Sequence, residues 1–261
     1  NRMHGKSGDD ITIDLPIGSV VKNIKTGEGI EILTTDKIFF EADVFLKQVN
    51  EAYKLDAKKS DILPVGVDLN FIQEKLGQGN MFINREQLGF KEDDIVLMTV
   101  NRLAADKGVD KIVLSLSELI KGNPKIKLII IGSGYQEEEI KRIIEEKNLK
   151  EYIRHFKDVP EDELYFYYRL ADIYLSVFSY PGSSLSTLEA MACSLPIITT
   201  AQPWLVEHGK NGVFIPNNEW LTIKSAVLNL IDSGQLKEMG NESLERVQPY
   251  DWQKVASAGV R

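Results

Sequence analysis

The sequence predicts an α/β protein built mainly on a doubly wound parallel sheet. Three observations carry this. From Asp94 onward, short apolar runs alternate with amphipathic stretches. Those runs are mostly apolar at successive positions rather than at every second one, as expected for strands covered on both faces. Two of them pass straight into small-residue turns that open a helix, at Gly132-Ser133-Gly134 and at Tyr180-Pro181-Gly182-Ser183-Ser184.

Taken in order, Ile95 to Val100 is the first strand, and an amphipathic helix follows over Val109 to Leu119. Ile126 to Ile131 is the second strand, followed by a charged helix over Gln136 to Lys147. Tyr152 to Phe156 is the third, and Pro160 with the acidic run Glu161-Asp162-Glu163 opens the next helix. Asp172 to Ser176 leads through the second small-residue turn into a helix carrying Glu189, and Pro196 precedes the strand at Ile197. Val213 to Ile215 adds a short strand, and helices close the pattern at Trp220 to Asp232 and Gln235 to Arg246. This succession implies a complete Rossmann-like domain.

Before Asp94 the pattern is less regular. Lys37 to Phe40 reads as a strand and Ala42 to Tyr53 as a helix. The expected division is a partial α/β domain over 1–75, a Gly- and Asn-containing linker over 76–92, the Rossmann-like domain over 93–246, and a terminal helix within 247–261.

A chain of 261 residues with 43% hydrophobic and 27% charged residues can bury a substantial core. A net charge of −8 argues against a nucleic-acid partner and leaves room for a local basic pocket. The single cysteine, Cys193, excludes an intramolecular disulfide, fits a reducing compartment, and lies in an apolar helix where it packs. No apolar run is long enough to span a bilayer as a helix. There is no Asp-x-Asp pair and no His or Cys cluster, so no metal site is expected.

The chemistry gathers at strand ends. A Gly and Ser loop at a helix N-terminus offers backbone N–H groups to a phosphate. A carboxylate in the first turns of that helix, here Glu189, can accept hydrogen bonds from sugar hydroxyls. Arg102 and Lys107 follow the first strand of the domain and can clamp a diphosphate, Arg as a fork and Lys as a point charge. Together these read as a nucleotide-sugar site.

The same residues resemble the glycosyltransferase family 4 enzymes, which have the GT-B fold. Ala171-Asp172, Gly182, Leu185, Ser186 and Leu188-Glu189-Ala190-Met191-Ala192 align without a gap with the family's donor motif, which holds two glutamates separated by seven residues. The second glutamate is Glu189; the first falls at Pro181. The family's Gly-Gly and a later Glu fall at Thr200-Ala201 and Trp204. Asn101-Arg102-Leu103 with Lys107-Gly108 resembles the family's Gly-Arg-Leu and Lys-Gly. Ile62 to Asp68 resembles the stretch before the interdomain linker, His4-Gly5 with Asp9 or Asp10 resembles a stretch late in the acceptor domain, and Trp252 with Val255-Ala256 resembles the terminal helix. On this alignment the chain begins partway through the N-terminal domain.

The resemblance implies a GT-B enzyme that moves a hexose-type sugar from a UDP-, GDP- or ADP-sugar to a glycan or glycolipid acceptor, retaining anomeric configuration, with no cofactor and no metal. It implies a cytoplasmic setting, with peripheral association at the inner face of the membrane as an option. Arg102 and Lys107 would neutralise the departing diphosphate. Glu189 would hold the ribose, Leu185 and Ser186 would offer N–H groups to the phosphates, and Ser184 is a substitute hydroxyl for the missing glutamate. Gly134 lies near the nucleotide, Lys157 lies where the backbone meets the base, and His4 matches a histidine that approaches the hexose. Rival readings stand beside these. Ser186-Thr187-Leu188-Glu189 has capping-box spacing. Gly132-Ser133-Gly134 also suits a tight turn, Trp204 suits packing, and His4 suits a frayed terminus. With proline at 181, a binding module without transfer is the alternative from another class.

Overall fold

The computed structural model describes residues 4–6, 10–14, 20–22, 31–32, 38–40, 47, 60–62, 64–77, 83–179 and 184–258. Pro181 and its neighbours 180–183 lie outside them, as does the helix expected over Ala42 to Tyr53 except for the helical Lys47. The chain divides into two compact units, Asn1–Pro64 and Val65–Arg261.

In the first unit, β1 (His4–Lys6), β2 (Asp10–Asp14), β3 (Val20–Lys22) and β4 (Glu31–Ile32) form an antiparallel sheet in chain order. The sequence reading had not anticipated this meander, although Ile11 and Ile13 alternate with Thr12 and Asp14 at strand period. β5 (Ile38–Phe40) pairs in parallel with β6 (Ser60–Ile62), in line with the strand expected at Lys37 to Phe40.

The second unit opens with α1 (Leu69–Gly77). Next come β7 (Ile95–Val100), α2 (Val109–Gly122), β8 (Ile126–Ile131), α3 (Glu137–Glu146), β9 (Ile153–Phe156), α4 (Glu161–Leu170) and β10 (Ile173–Ser176). The remainder is α5 (Leu185–Ala192), β11 (Ile197–Thr199), β12 (Gly212–Phe214), α6 (Trp220–Asp232), α7 (Leu236–Arg246) and α8 (Trp252–Ala258). The six strands are all parallel, in the order β12-β11-β10-β7-β8-β9. Strand order therefore reverses between β7 and β10, which makes their carboxyl ends the topological switch point of a Rossmann-like sheet.

The apolar runs explain both layers. Leu97 on β7 and Leu128 and Ile130 on β8 face one core, filled by Ile112 and Leu116 of α2 and Val227 of α6. Val96 and Met98 on β7 and Ile129 on β8 face the other, filled by Ile72 of α1, Tyr168 of α4 and Met191 of α5. Successive side chains of a strand point to opposite faces, so a strand buried on both sides is apolar at most successive positions.

The two units meet in sequence at Pro64, and the described residues 83–92 belong to the second. Leu88 and Phe90 are buried in its core. Arg85 donates to the carbonyls of Leu170, Glu92 and Asp94 and pairs with Asp172 at 2.9 Å. The terminal segment is likewise tied in, since Val67 N–H donates to Tyr250 O and Trp252 N–H to Val67 O.

Asp172 sits at the amino end of β10, where its Oδ2 accepts from Arg85 and, at 2.7 Å, from the Val96 N–H of β7. It fixes the base of the switch point while the site lies at the other end. Asp172→Ala is expected to cost about 2 kcal/mol, allowing for its partial exposure, and to leave ligand affinity unchanged. Urea unfolding followed by circular dichroism checks this. No helix among the described residues is long and apolar enough to cross a membrane.

Candidate functional site

At the carboxyl ends of β7, β8 and β9 and the start of α5 lies a cavity of about 450 Å³. Val100, Asn101 and Arg102 line it from β7, Ile131 and Gly132 from β8, and Lys157, Asp158 and Val159 from β9. Leu185, Ser186 and Glu189 of α5 form the opposing wall. This volume falls within the ordinary range for small-molecule sites.

Backbone contacts set the strand ends. Asn101 N–H donates to Ile131 O and Gly132 N–H to Phe156 O. Gly132 has φ +133°, and a Cβ there would lie 2.0 Å from Asn101 O. His155 Nε2 lies 2.9 Å from Gly132 O. Gly134 is set against Leu103, whose carbonyl oxygen a Cβ would meet at 2.3 Å. The glycine that lines the cavity is thus Gly132, and Gly134 serves close packing of the two loops.

The arginines separate cleanly. Arg85, Arg142, Arg154, Arg169 and Arg246 all hydrogen-bond or pair within the protein. Arg102 is exposed and lines the cavity, and among the described residues its guanidinium has no such partner. Lys157 also lines the cavity and pairs with Glu137 at 2.6 Å. Glu137 is held down to about 2 by Lys141 first and Lys157 second.

Lys107 is outside the cavity lining. It ends a short 3-10 helix, pairs with Asp106 at 3.2 Å, and lies over the Phe178 ring, 4.4 Å from its centroid. Ser184 is the N-cap of α5, and its hydroxyl lies 2.8 Å from that of Ser186. Leu185 and Ser186 occupy the first turn, where backbone N–H groups lack intrahelical partners. His4 lies in β1 of the first unit, and every lining residue belongs to the second.

The structure corrects the capping-box alternative for Glu189. With the N-cap at Ser184, Glu189 stands beyond the first turn of α5. Its Oε2 instead takes the Tyr168 hydroxyl at 3.0 Å. Burial raises the Glu189 carboxyl above its ordinary value, and the Tyr168 hydrogen bond opposes this. Cys193 packs against the same core, where burial pushes its thiol up. Trp204 is partly buried against that core as well.

Tyr168 escaped the sequence reading. The only signal was an aromatic run, Tyr165-Phe166-Tyr167-Tyr168, whose members are all buried. Burial raises the hydroxyls of Tyr165, Tyr168 and Tyr174 above 10. A raised folded value means the fold retains a proton that the unfolded chain releases near pH 10. The associated stability is complete below pH 10 and is lost as pH rises further, by about 1.4 kcal/mol per pH unit per tyrosine. Absorbance titration should show these tyrosines ionising only with unfolding; their titration near pH 10 in the folded chain would contradict the burial.

Residues 80–246 match the family described as glycosyl transferases group 1. This chain belongs to that family. Among curated group 1 relatives, it is 32% identical over 164 residues to the alpha-monoglucosyldiacylglycerol synthase of Acholeplasma laidlawii, covering 61% of this chain and 41% of that one. It is 24% identical to the D-inositol 3-phosphate glycosyltransferase of Segniliparus rotundus, covering 88% and 52%. The chain thus spans about half or less of these two relatives. Among solved structures, Anabaena HepE in complex with UDP and glucose superimposes with a TM-score of 0.73 at 18% identity, covering 87% of this chain and 62% of that one. The fold is that of the GT-B glycosyltransferases, represented here by the complete Rossmann-like unit.

Proposed function

We propose that this unit binds the nucleoside diphosphate of a UDP-, GDP- or ADP-sugar, and that the whole protein transfers the sugar, with retention, to a glycan or lipid-linked acceptor. The observation that carries the reading is Arg102, an arginine without a partner among the described residues at the cavity that Glu189 lines. A cation at the end of β7 and the first turn of α5 offer two sites for a diphosphate, and Glu189 offers a carboxylate to ribose hydroxyls.

In transfer, the bond from the anomeric carbon to the diphosphate oxygen breaks through an oxocarbenium-like state. Negative charge grows on the leaving group, and Arg102 with Lys107 stabilises it more in the transition state than before. The leaving-group charge is assigned to these cations rather than to a metal ion. The Acholeplasma relative, named for a glucosylated diacylglycerol, supports a lipid-linked acceptor; the proposed setting is cytoplasmic, at the inner membrane face.

A second reading, nucleotide-sugar binding without transfer, is favoured by Pro181, which places an imino acid where the resemblance expects a sugar-contacting glutamate. Calorimetric titration with UDP, GDP and ADP and their hexose conjugates separates the readings. One preferred nucleotide is expected, with added affinity from its sugar if transfer is intact. Equal affinity for nucleotide and conjugate supports the module, and no binding by any of them sinks the site.

A further inference from the structure

The Tyr168 hydroxyl stands between two acceptors, Glu189 Oε2 at 3.0 Å and Ser186 O at 3.1 Å. It has one hydrogen to give, and a carboxylate is the stronger acceptor. Tyr168 is fully buried, its ring packed against Tyr165 at 6.5 Å and Tyr174 at 5.8 Å between centroids, so the hydroxyl cannot swing away. Tyr174 in turn reaches β7, its hydroxyl lying 3.3 Å from Val100 O. Val100 and Glu189 both line the cavity. A packed tyrosine pair therefore joins the end of β7 to the one carboxylate that α5 presents there. No described residue hydrogen-bonds Glu189 Oε1.

We propose that Tyr168 is a positioning residue: by donating to Oε2 it holds the Glu189 carboxylate in one rotamer, leaving Oε1 to accept a hydroxyl from the ligand. The inference rests on the assignment of Glu189 to the ribose.

The charged and titratable groups around Glu189 bear on this. Glu161, Tyr165 and Tyr168 face it from α4, Tyr174 from β10, and Cys193 from the end of α5. Arg102 and Lys157 share its cavity. Burial and Glu161 favour the protonated acid; the Tyr168 hydroxyl favours the carboxylate. Removing that hydroxyl should move the Glu189 titration upward, and affinity for a ribose-bearing ligand should then fail at a higher pH as pH is lowered.

The test is Tyr168→Phe, which keeps the ring. Carbon-13 carboxyl NMR of the glutamate-labelled chain, with Glu189 assigned through Glu189→Gln, reads the titration without any ligand. An upward move on the order of one unit is expected. UDP affinity at neutral pH should fall roughly tenfold, with little further loss when Tyr168→Phe is added to Glu189→Gln. A Glu189 titration that stays in place in the folded variant overturns the proposal. If Tyr168→Phe fails to fold, the buried, hydrogen-bonded Tyr168 hydroxyl proton of the unaltered chain takes its place. That signal must move through the Glu189 titration, and one that does not move overturns the proposal equally. Failure of the donor-site reading looks different: UDP does not bind the unaltered chain, while the Tyr168 and Glu189 coupling persists in the NMR titration.

Discussion

Arg102→Ala should weaken nucleoside diphosphate binding by roughly ten- to a hundredfold, the loss expected of one charge-assisted contact. Transfer by the whole protein should fall further, by about 10² to 10³, because leaving-group charge is greatest in the transition state. The neighbouring cations already have protein partners and do not replace its fork. Lys157 is paired with Glu137, and Lys107 lies against Asp106 and over Phe178, outside the cavity lining. Arg102→Lys should recover only part of the loss, since an ammonium keeps the charge but not the planar fork. Affinity of the unaltered chain should drop as salt rises, because the side chain is exposed and its attraction for an anion is screened. Calorimetry of both variants with UDP decides it; undiminished affinity in Arg102→Ala would remove Arg102 from the site.

The second large effect is on folding. Gly132→Ala places a Cβ 2.0 Å from Asn101 O at a φ of +133°, so neither a shift of a flexible side chain nor a rotamer change relieves it. The strand ends must separate, which disturbs the Gly132 N–H to Phe156 O bond and the Gly132 O contact with His155. A loss of at least about 3 kcal/mol is expected, together with nucleotide binding. Gly122→Ala is the internal comparison. That glycine ends α2 with nothing near a new Cβ, and the change should be neutral or stabilising by about 0.5 kcal/mol. Chemical denaturation of the two variants side by side measures both, and equal stabilities would refute the argument from close approach.

The parallel sheet was legible because strands covered on both faces are apolar at most successive positions. Ile95–Val100 and Ile126–Ile131 appear where the sequence places them. Arg102 and Glu189 were put forward from a strand end and from the helix after a small-residue loop, Lys157, Leu185 and Ser186 from the family resemblance, and all five line one cavity. Tyr168 was not. Its partner is 21 residues away on another helix, and neither helical nor strand periodicity connects them. The 83–92 segment reads as part of a linker from its composition, and in the structure one side chain, Arg85, collects the carbonyls of Glu92, Asp94 and Leu170 and ties the segment to the second unit. The meander of β1 to β4 was missed because its strands are as short as two residues, too few for alternation to stand out.

The strand order also bears on when the crevice comes into being. β7 pairs with β8 across one helix, and β8 with β9 across another, yet β7 meets β10 only after both have been passed. Closing that central pair encloses the longest stretch of chain of any pairing in the sheet, and it carries the largest loop-closure entropy. Pairings of this kind slow folding, because the chain must be ordered before the contact rewards it. The switch point is therefore expected to be among the last features to form during folding. A nucleotide bound there would retard unfolding more than it hastens folding, since it recognises a surface that exists only once the central strands have met.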